Sequence, residues 1–276
     1  MTDVTHSASQ MELYKMCPTR HFYKYILGRP DPSGDAAEAG TQVHTLIERY
    51  LRDNVMPDPA LTWSGSPDGY VYEIGQVALA MIENLPAGGS VPDVEITLAL
   101  AVGDHKFRGR VDARRRSSDG RLTVTDHKST SNIRYAKSED DLRTDLQAIL
   151  YAKWAGEDVT LEWNYGASKP KPATKKIPAH FPTRLVTLFL TKEQADESYK
   201  KIVEPVARLV AASYKHKDIR RVQKNTDSCS KFPPAGCPFK EECLGKKMSI
   251  ETKKSTLVEF LRAKRAGLPV PALAPS

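Results

Sequence analysis

The N-terminal third of the chain has a helical pattern of apolar positions. Apolar and aromatic residues recur there at spacings of three and four, which predicts helices over residues 9–26, 36–54 and 70–85. Ser9 and Glu12 match a capping box, which would begin the first of these helices. A short segment rich in Pro, Gly and Asp separates the first two helices.

From about residue 94 the apolar positions alternate, which predicts β-strands. Strands are predicted over residues 94–102, 106–115, 121–128, 158–165 and 184–190. Gly103 and Asp104 predict a hairpin turn between the first two strands, and a helix is predicted over 141–155. A long helix to about residue 215 is predicted from Thr191, which forms a second capping-box pattern with Gln194. This order of elements predicts an α/β core with helical additions.

The chain divides into four predicted regions. These are an N-terminal helical region (1–90), the α/β core (91–220), a segment with three cysteines (221–250), and a helical stretch with a flexible tail (251–276).

Composition and charge narrow the class of protein. Hydrophobic residues make up 40% of the chain and charged residues 27%, which is ordinary for a soluble protein. The net charge of +7 favours a polyanionic partner such as nucleic acid, although many soluble proteins are equally basic. The sequence has no apolar run of membrane-spanning length and no signal-peptide core, so we expect a cytoplasmic protein without a membrane partner. In that compartment cysteines are better interpreted as metal ligands than as disulfides.

The strand that ends in Asp126, His127 and Lys128 is the most informative segment. Because side chains alternate along a strand, Asp126 and Lys128 share one face. A carboxylate there can hold a hard divalent cation, and the ammonium can orient a water and offset charge on a phosphate. Asp112, on the preceding strand, would add a second carboxylate, and two such groups repel unless a cation neutralises them. Taken alone, these residues also fit surface ion pairs.

Four short motifs in a fixed order extend this pattern. They are Cys17 with Phe22 and Tyr25, Gly40 with His44, Gly109 to Asp112 followed by Asp126 and Lys128, and Gln147 with Tyr151. Over roughly residues 9–243 this order resembles the RecB-like branch of the PD-(D/E)xK nuclease superfamily, including the CRISPR-associated and AddB-type exonucleases that carry iron–sulfur clusters. The resemblance implies a restriction-endonuclease-like core, in which helices flank a mixed central sheet, with helical N- and C-terminal additions joined by a metal cluster.

The resemblance also implies roles for individual residues. The ligands of one or two Mg²⁺ or Mn²⁺ ions would be His44, Asp112, Asp126 and the carbonyl oxygen of His127. Lys128 would be the catalytic lysine, and Gln147 and Tyr151, one helical turn apart, would position it or the DNA backbone. Gly40 would leave room for a close approach of the His44 helix, and Glu95 would be an outer partner of the site.

The four cysteines form a candidate metal site of their own. The resemblance implies that Cys17, Cys229, Cys237 and Cys243 hold a 4Fe–4S cluster as thiolates. Seven residues separate Cys229 from Cys237, which departs from the closer spacing of those families. Zinc is the alternative metal, and unligated or disulfide-bonded cysteines are the third interpretation.

These features together predict a metal-dependent deoxyribonuclease that digests DNA from its ends in recombination, repair or phage DNA processing. The basic residues predicted to contact DNA phosphates are Arg110, Arg114, Arg115, Arg116, Lys169, Lys171, Lys175 and Lys176. The sequence lacks the phosphate-binding motif of helicases, so unwinding would need a helicase or a recombination or annealing partner. The alternatives are a DNA-end-binding subunit that does not cut, and a structure-specific or sequence-specific endonuclease.

Overall fold

The protein is described by a computed structural model over residues 4–31, 34–65, 69–86, 91–175, 177–215, 218–229 and 236–245. The chain forms two compact units, Met1–Asn225 and Thr226–Ser276. Lys176 and the helical stretch predicted after residue 250 lie outside the described residues. Within the ranges given above, no helix is both long and apolar enough to cross a membrane.

The N-terminal segment is broken at Cys17 rather than forming one helix. Its elements are β1 (Thr5–His6), α1 (Ala8–Met16), α2 (Pro18–His21) and a π-helical turn (Phe22–Ile26). Pro18 has no backbone N–H and disfavours the helical conformation at the residue before it. Cys17 is accordingly extended, with φ −158°. The single helix predicted over 9–26 is wrong at this point.

The helix caps in this segment also differ from the prediction. Ser7 begins α1, because its hydroxyl accepts the N–H of Gln10 at 3.2 Å. Ser9, the predicted cap, lies inside the helix. The sulfur of Cys17 accepts the N–H of Arg20 at 3.5 Å and so caps α2.

Helices α3 (Asp35–Asp53) and α4 (Ile74–Glu83) pack against each other and against the sheet. The buried members of their shared apolar cluster are Ala39, Val43, Leu46, Ile47, Ile74, Val77, Ala78, Met81 and Ile82. The packing of the preceding loop on α4 requires a glycine at residue 75. A Cβ on Gly75 would lie 2.0 Å from the carbonyl oxygen of Asp58.

Among the described residues, six strands form one mixed sheet. After β1 these are β2 (Asp93–Val102), β3 (His105–Arg116), β4 (Leu122–Thr130), β5 (Val159–Ala167) and β6 (Thr183–Leu190). The predicted hairpin between β2 and β3 is confirmed: Val102 pairs with His105, and Gly103 takes the left-handed conformation of such a turn, with φ 55°.

The topology places β4 and β5 side by side at the centre of the sheet. Strand β3 pairs with β2 along one edge and with β1 and β4 at opposite ends of its other edge. β4 and β5 are parallel, as a helical crossover requires, and the crossover contains α5 (Glu139–Arg143) and α6 (Leu146–Ala155). Helix α6 contacts β5, and α3 and α4 contact β4 and β5. The predicted mixed sheet flanked by helices is confirmed.

A long helical segment follows the sheet. It consists of α7 (Lys192–Ser198), a π-helical turn (Tyr199–Val203) and α8 (Glu204–Lys215). The predicted capping box is confirmed, since Thr191 and Gln194 each accept the backbone N–H of the other. α1 packs against both α6 and α8, which attaches the N-terminal segment to the core. The described residues of the second unit include a short α-helix, α9 (Lys240–Cys243).

Candidate active site

The candidate active site opens where two strands of the sheet separate. The ladder between β3 and β4 ends at the pair Ala113 and Thr125. Beyond it, the backbone N–H of His127 donates to Oδ2 of Asp112 at 2.7 Å, so a carboxylate side chain replaces the backbone acceptor. Beyond this pair β3 and β4 separate, and the Asp112 side chain lies in the gap between them.

A hydrogen-bonded network on α6 holds the side chains of β4. The Lys128 ammonium lies 2.6 Å from Oδ2 of Asp126 and donates to Oε1 of Gln147 at 3.1 Å. The Nε2 group of Gln147 donates to Oδ1 of Asp126 at 2.8 Å and to the Tyr151 hydroxyl at 2.6 Å. That hydroxyl donates to the carbonyl of Arg110 at 2.6 Å. Gln147 thus fixes the lysine relative to the carboxylate, and Tyr151 fixes Gln147 relative to β3.

The charge on Lys128 is set by its acidic neighbours. Burial acts to lower the pKa of Lys128, but attraction by Asp126, Asp112 and Asp145 outweighs it and holds this pKa above its ordinary value. The side chain is therefore an ammonium at neutral pH, able to donate hydrogen bonds but not to accept a proton.

Asp145 positions the helix that carries this network, and sequence reasoning did not identify it. Its Oδ1 accepts the N–H of Ala148 at 2.9 Å, which caps α6 two residues before Gln147. Its other oxygen forms an ion pair with Lys137. An Asp directly before an apolar helical run is a recognised cap signal and could have revealed this residue.

His44 reaches the site from the opposite layer. Its Nδ1 lies 3.5 Å from Oδ2 of Asp112, and its ring lies edge-to-face with that of His127, with centroids 6.0 Å apart. Burial lowers the pKa of His44, although Asp126 and the backbone of His127 oppose this. A neutral imidazole is the form that can bind a metal ion.

The donor atoms match a hard divalent cation in kind, but they are not assembled around one point. Two carboxylates and an imidazole converge at the gap between β3 and β4. Within the described part of the chain, however, no three His, Cys, Asp or Glu side chains gather closely enough to hold a metal ion. Asp126 is engaged instead by Lys128, Gln147 and Tyr151. A cation at Asp126 would therefore compete with the Lys128 ammonium or share the carboxylate with it.

The raised pKa of Asp112 gives a pH prediction. Burial, followed by the charge of Asp126, raises the pKa of Asp112 from 3.8 to about 8. Between these values the folded metal-free protein keeps a proton that the unfolded chain releases, so its stability should fall as the pH rises. We expect urea midpoints measured in EDTA to fall from pH 6.5 to 8.5 in the wild type, and to fall less in Asp112→Asn.

The pH range is chosen to separate this effect from histidine titration. The buried His6 and His21 have pKa values lowered to about 4, so they stabilise the fold as the pH rises from 4 towards 6.5 and change little above it. Identical slopes for the wild type and Asp112→Asn above pH 6.5 would contradict the assignment of the proton to Asp112.

Glu95 lies next to Asp112 and has an unusual backbone conformation. It stands between the pairs Val94 with Ala113 and Ile96 with Val111, which places it opposite Asp112. Its φ of 54° is left-handed, which is uncommon for a non-glycine residue and is found at functional sites. Its carboxylate pairs with Arg110 at 2.7 Å.

Gly40 packs against β4 less tightly than the sequence suggested. A Cβ on Gly40 would lie 3.4 Å from the Cβ of Ser129, which is an ordinary contact. Because alanine is favoured over glycine inside a helix, we expect Gly40→Ala to raise the free energy of unfolding by roughly 0.5–1 kcal/mol. Gly75→Ala is the control and should lower it, because its Cβ meets the Asp58 carbonyl. Urea denaturation measures both, and a destabilised Gly40→Ala would show that α3 lies closer to β4.

A second polar network lies on the other face of β4 and β5, and sequence reasoning missed it. Thr125 pairs with Glu162 in the strand register, and His127 pairs with Asn164. Asn164 is buried; its Nδ2 donates to the carbonyl of Met81 at 2.9 Å and lies 3.4 Å from Nδ1 of His127. Polar residues at every second position of an otherwise apolar strand are the signal that could have revealed this face.

The arginines predicted to contact DNA already have acidic partners. Arg110, Arg114, Arg115 and Arg116 pair with Glu95, Asp93, Glu162 and Glu157 respectively. Arg110 and Arg116 are exposed and Arg114 is partly exposed. The Arg115 side chain is only 13% exposed and is enclosed with Glu162, so it is not available to DNA phosphates. The lysines Lys169, Lys171 and Lys175 are exposed in the segment between β5 and β6.

The cysteines are distributed over the two units. Cys17 is buried in the first unit. In the second unit, the N–H of Cys237 donates to the carbonyl of Cys229 at 2.9 Å, and Cys243 ends α9. The described residues contain no group of three metal-binding side chains here either. The predicted 4Fe–4S cluster and the zinc alternative remain predictions.

Comparison with known proteins identifies the family. The model of the PD-(D/E)XK nuclease superfamily matches residues 5–244. No curated protein matches this sequence. Among solved structures, one titled "Crystal structure of SSO0001" has 14% identity and a TM-score of 0.41, with 88% of each chain covered. The family match extends over β3, β4 and α6, which carry the site, and confirms the motif resemblance at superfamily level. The chain belongs to the PD-(D/E)XK nuclease superfamily.

Proposed function

We propose that this chain is a divalent-metal-dependent deoxyribonuclease that removes nucleotides from DNA ends. The observation that carries the proposal is the network joining Lys128, Asp126 and Gln147, beside Asp112 and His44. An ammonium held next to a buried carboxylate, with a second carboxylate and a neutral imidazole within reach, suits the hydrolysis of a phosphodiester.

Each residue then has a part in the reaction. A divalent cation bound by Asp112, Asp126 and His44, with the His127 carbonyl as a further ligand, would supply Lewis acidity toward a phosphate oxygen. Lys128 would hold the attacking water and offset negative charge as it develops on the phosphate. Gln147 contacts both Lys128 and Asp126, and Tyr151 contacts Asp126, so the two side chains would keep these groups in the geometry that attack requires.

The interface with DNA would use exposed basic residues without reading sequence. Arg110, Arg114 and Arg116 lie along β3 next to Asp112, and their acidic partners are themselves on the surface or at the site. Phosphate contacts of this kind position the backbone and make binding salt-dependent. The setting in recombination, repair or phage DNA processing, with a helicase or annealing protein as partner, is part of the same proposal.

The test is the digestion of matched linear and circular DNA. With Mg²⁺ or Mn²⁺, the wild type should shorten end-labelled linear DNA and leave a circular single strand intact, and EDTA or Asp126→Asn should stop cutting. Linearisation of the circle would favour the endonuclease alternative. Tight binding without cutting in Mn²⁺ would favour the DNA-end-binding subunit.

We also propose that the four cysteines hold a 4Fe–4S cluster with a structural role, because hydrolysis needs no redox step. The support is the motif order and the backbone contact between Cys229 and Cys237. Anaerobically purified protein should contain iron and acid-labile sulfide, and Cys237→Ser should lose both and unfold at lower urea. Zinc at one atom per chain without iron would replace the cluster, and protein free of both metals would leave the cysteines as thiols or disulfides.

A further inference from the structure

Three aromatic side chains lie together beside helices α3 and α4. Trp63 and Tyr72 are joined across an antiparallel bridge, with both N–H to carbonyl distances at 2.8 Å. The ring of Tyr70 lies edge-to-face against that of Tyr72, with centroids 4.9 Å apart. We call Trp63, Tyr70, Tyr72 and Lys169 the aromatic platform.

Lys169 adds a positive charge to this surface. Its Nζ lies 5.9 Å from the centroid of the Tyr70 ring, within the range of a cation–π contact. The segment that carries it is held in place by the bridge between Lys171 and His180. Phe181, in the same segment, packs on the α3–α4 cluster together with Trp63 and Tyr72.

Tyr72 of the platform also lines a narrow groove beside α3 and the end of β4. The groove has a volume of about 50 Å³, and its lining includes Tyr72, Ser168, Gly40, Val43 and Ser129. Gly40 lies one helical turn before His44, so the groove runs beside the His44 end of the site. Ser129 faces α3, on the opposite face of β4 from Lys128. Within the described part of the chain, the Ser129 hydroxyl oxygen is buried and has no hydrogen-bond partner, which leaves it free to donate to a ligand.

Tyr70 differs from its neighbours in having no packing role. Trp63 and Tyr72 are partly buried against α3 and α4, whereas Tyr70 is 48% exposed and is not part of that cluster. Lys169 brings a positive charge to the exposed Tyr70 ring. An exposed aromatic face beside positive charge complements a nucleic acid whose bases are not paired.

We propose that the aromatic platform stacks an unpaired base of single-stranded DNA on Tyr70, with Lys169 on the adjacent phosphate. In a duplex the base faces are already stacked and cannot reach Tyr70. The platform would therefore select single strands, or the unpaired end of a duplex. This inference rests on the proposed function for the class of substrate, DNA, but binding at the platform can be measured without cutting.

Binding of oligonucleotides in EDTA, where no cutting is expected, tests the platform. Fluorescence anisotropy would compare a labelled oligo-dT strand with a duplex of the same length. Tyr70→Ala should weaken binding of the single strand about tenfold, as expected for the loss of one stacked base, and leave duplex binding unchanged. Tyr70→Phe, which keeps the ring, should bind like the wild type. Lys169→Ala should weaken single-strand binding and reduce its salt dependence.

Phe189→Ala is the matched control. Phe189 is 39% exposed and has the guanidinium of Arg121 4.7 Å above its ring, but Arg121 lies at the far end of β4 from Lys128. It should leave binding of both DNAs unchanged. Equal effects of Tyr70→Ala and Phe189→Ala, or an equal loss of single-strand and duplex binding in Tyr70→Ala, would overturn the proposal.

A scan with abasic sites locates the stacked base. One abasic position should weaken wild-type binding about tenfold and have no further effect in Tyr70→Ala, because the same contact is removed from either side. Additive losses at every position would contradict stacking on Tyr70. If wild-type protein proves unable to cut but shows this pattern, the proposed function fails and the platform stands. If it cuts DNA but lacks the pattern, the proposed function stands and the platform fails.

Discussion

Lys128→Ala is expected to lower the rate of DNA cutting about 10³-fold while binding DNA within a few-fold of wild type. The ammonium would act on charge that develops only as the phosphate is attacked, so its loss should affect turnover much more than affinity. Initial rates on end-labelled DNA at saturating Mg²⁺, together with anisotropy in EDTA, measure the two effects separately. Lys153→Ala is the control, because Lys153 is also an ion-paired lysine but contacts Asp196 instead of the site.

The same variant makes a second, independent test of the site. In the metal-free protein Lys128 occupies Oδ2 of Asp126, at 2.6 Å. A cation that binds there would meet the positive charge of this ammonium, so Lys128→Ala should bind Mn²⁺ more tightly than wild type when measured by calorimetry. Weaker Mn²⁺ binding with a normal melting temperature would show that the lysine supports the metal rather than competing with it. Unchanged Mn²⁺ affinity would place the metal away from Asp126.

The residues around Lys128 show what a sequence can predict. Asp126 and Lys128 share a face because strand side chains alternate, and Gln147 and Tyr151 share a face because a helix turns every 3.6 residues. These relations depend on chain neighbours alone. The structure joins the two pairs through Asp126 and Gln147, at 2.8 Å. Only the motif resemblance indicated that the strand pair and the helix pair would meet in the fold.

Other features depend on which strands become neighbours, and local sequence does not contain that information. Asp112 replaces a backbone acceptor for His127 only because the β3–β4 ladder stops one pair earlier. The left-handed conformation of Glu95 arises at the same level of the sheet, opposite Asp112. The spacing of apolar positions therefore predicts neither the role of Asp112 at the end of the ladder nor the strained backbone of Glu95.

Arg115 is the clearest case of this difference. In sequence it is one of three consecutive arginines, and its position predicts a DNA contact like those of Arg114 and Arg116. In the fold, β4 and β5 pair in parallel and bring Glu162 beside Thr125, so that Arg115 meets a buried carboxylate. Adjacent arginines therefore have different surroundings: Arg115 is enclosed with a carboxylate, whereas Arg116 lies on the surface.

The second large effect is expected on stability, from Arg115→Ala. Arg115 makes two bonds to Glu162, at 2.9 and 2.8 Å, and one to the Thr125 hydroxyl at 3.1 Å. The Arg115 and Glu162 side chains are only 13% and 7% exposed, so removing the guanidinium leaves a buried carboxylate without its counter-charge. We expect a loss of about 3–5 kcal/mol in the free energy of unfolding, measured by urea denaturation at neutral pH.

Two further variants distinguish a buried charge from a lost contact. Arg116→Ala also removes a two-bond pair, with Glu157, but this pair is on the surface, so the loss should be much smaller. Arg115→Met combined with Glu162→Leu removes both charges and should be more stable than Arg115→Ala, because no buried carboxylate is left unpaired. A double variant as unstable as the single one would mean that Arg115 acts through packing. Equal losses for Arg115→Ala and Arg116→Ala would mean that burial of the Arg115 pair does not determine its contribution.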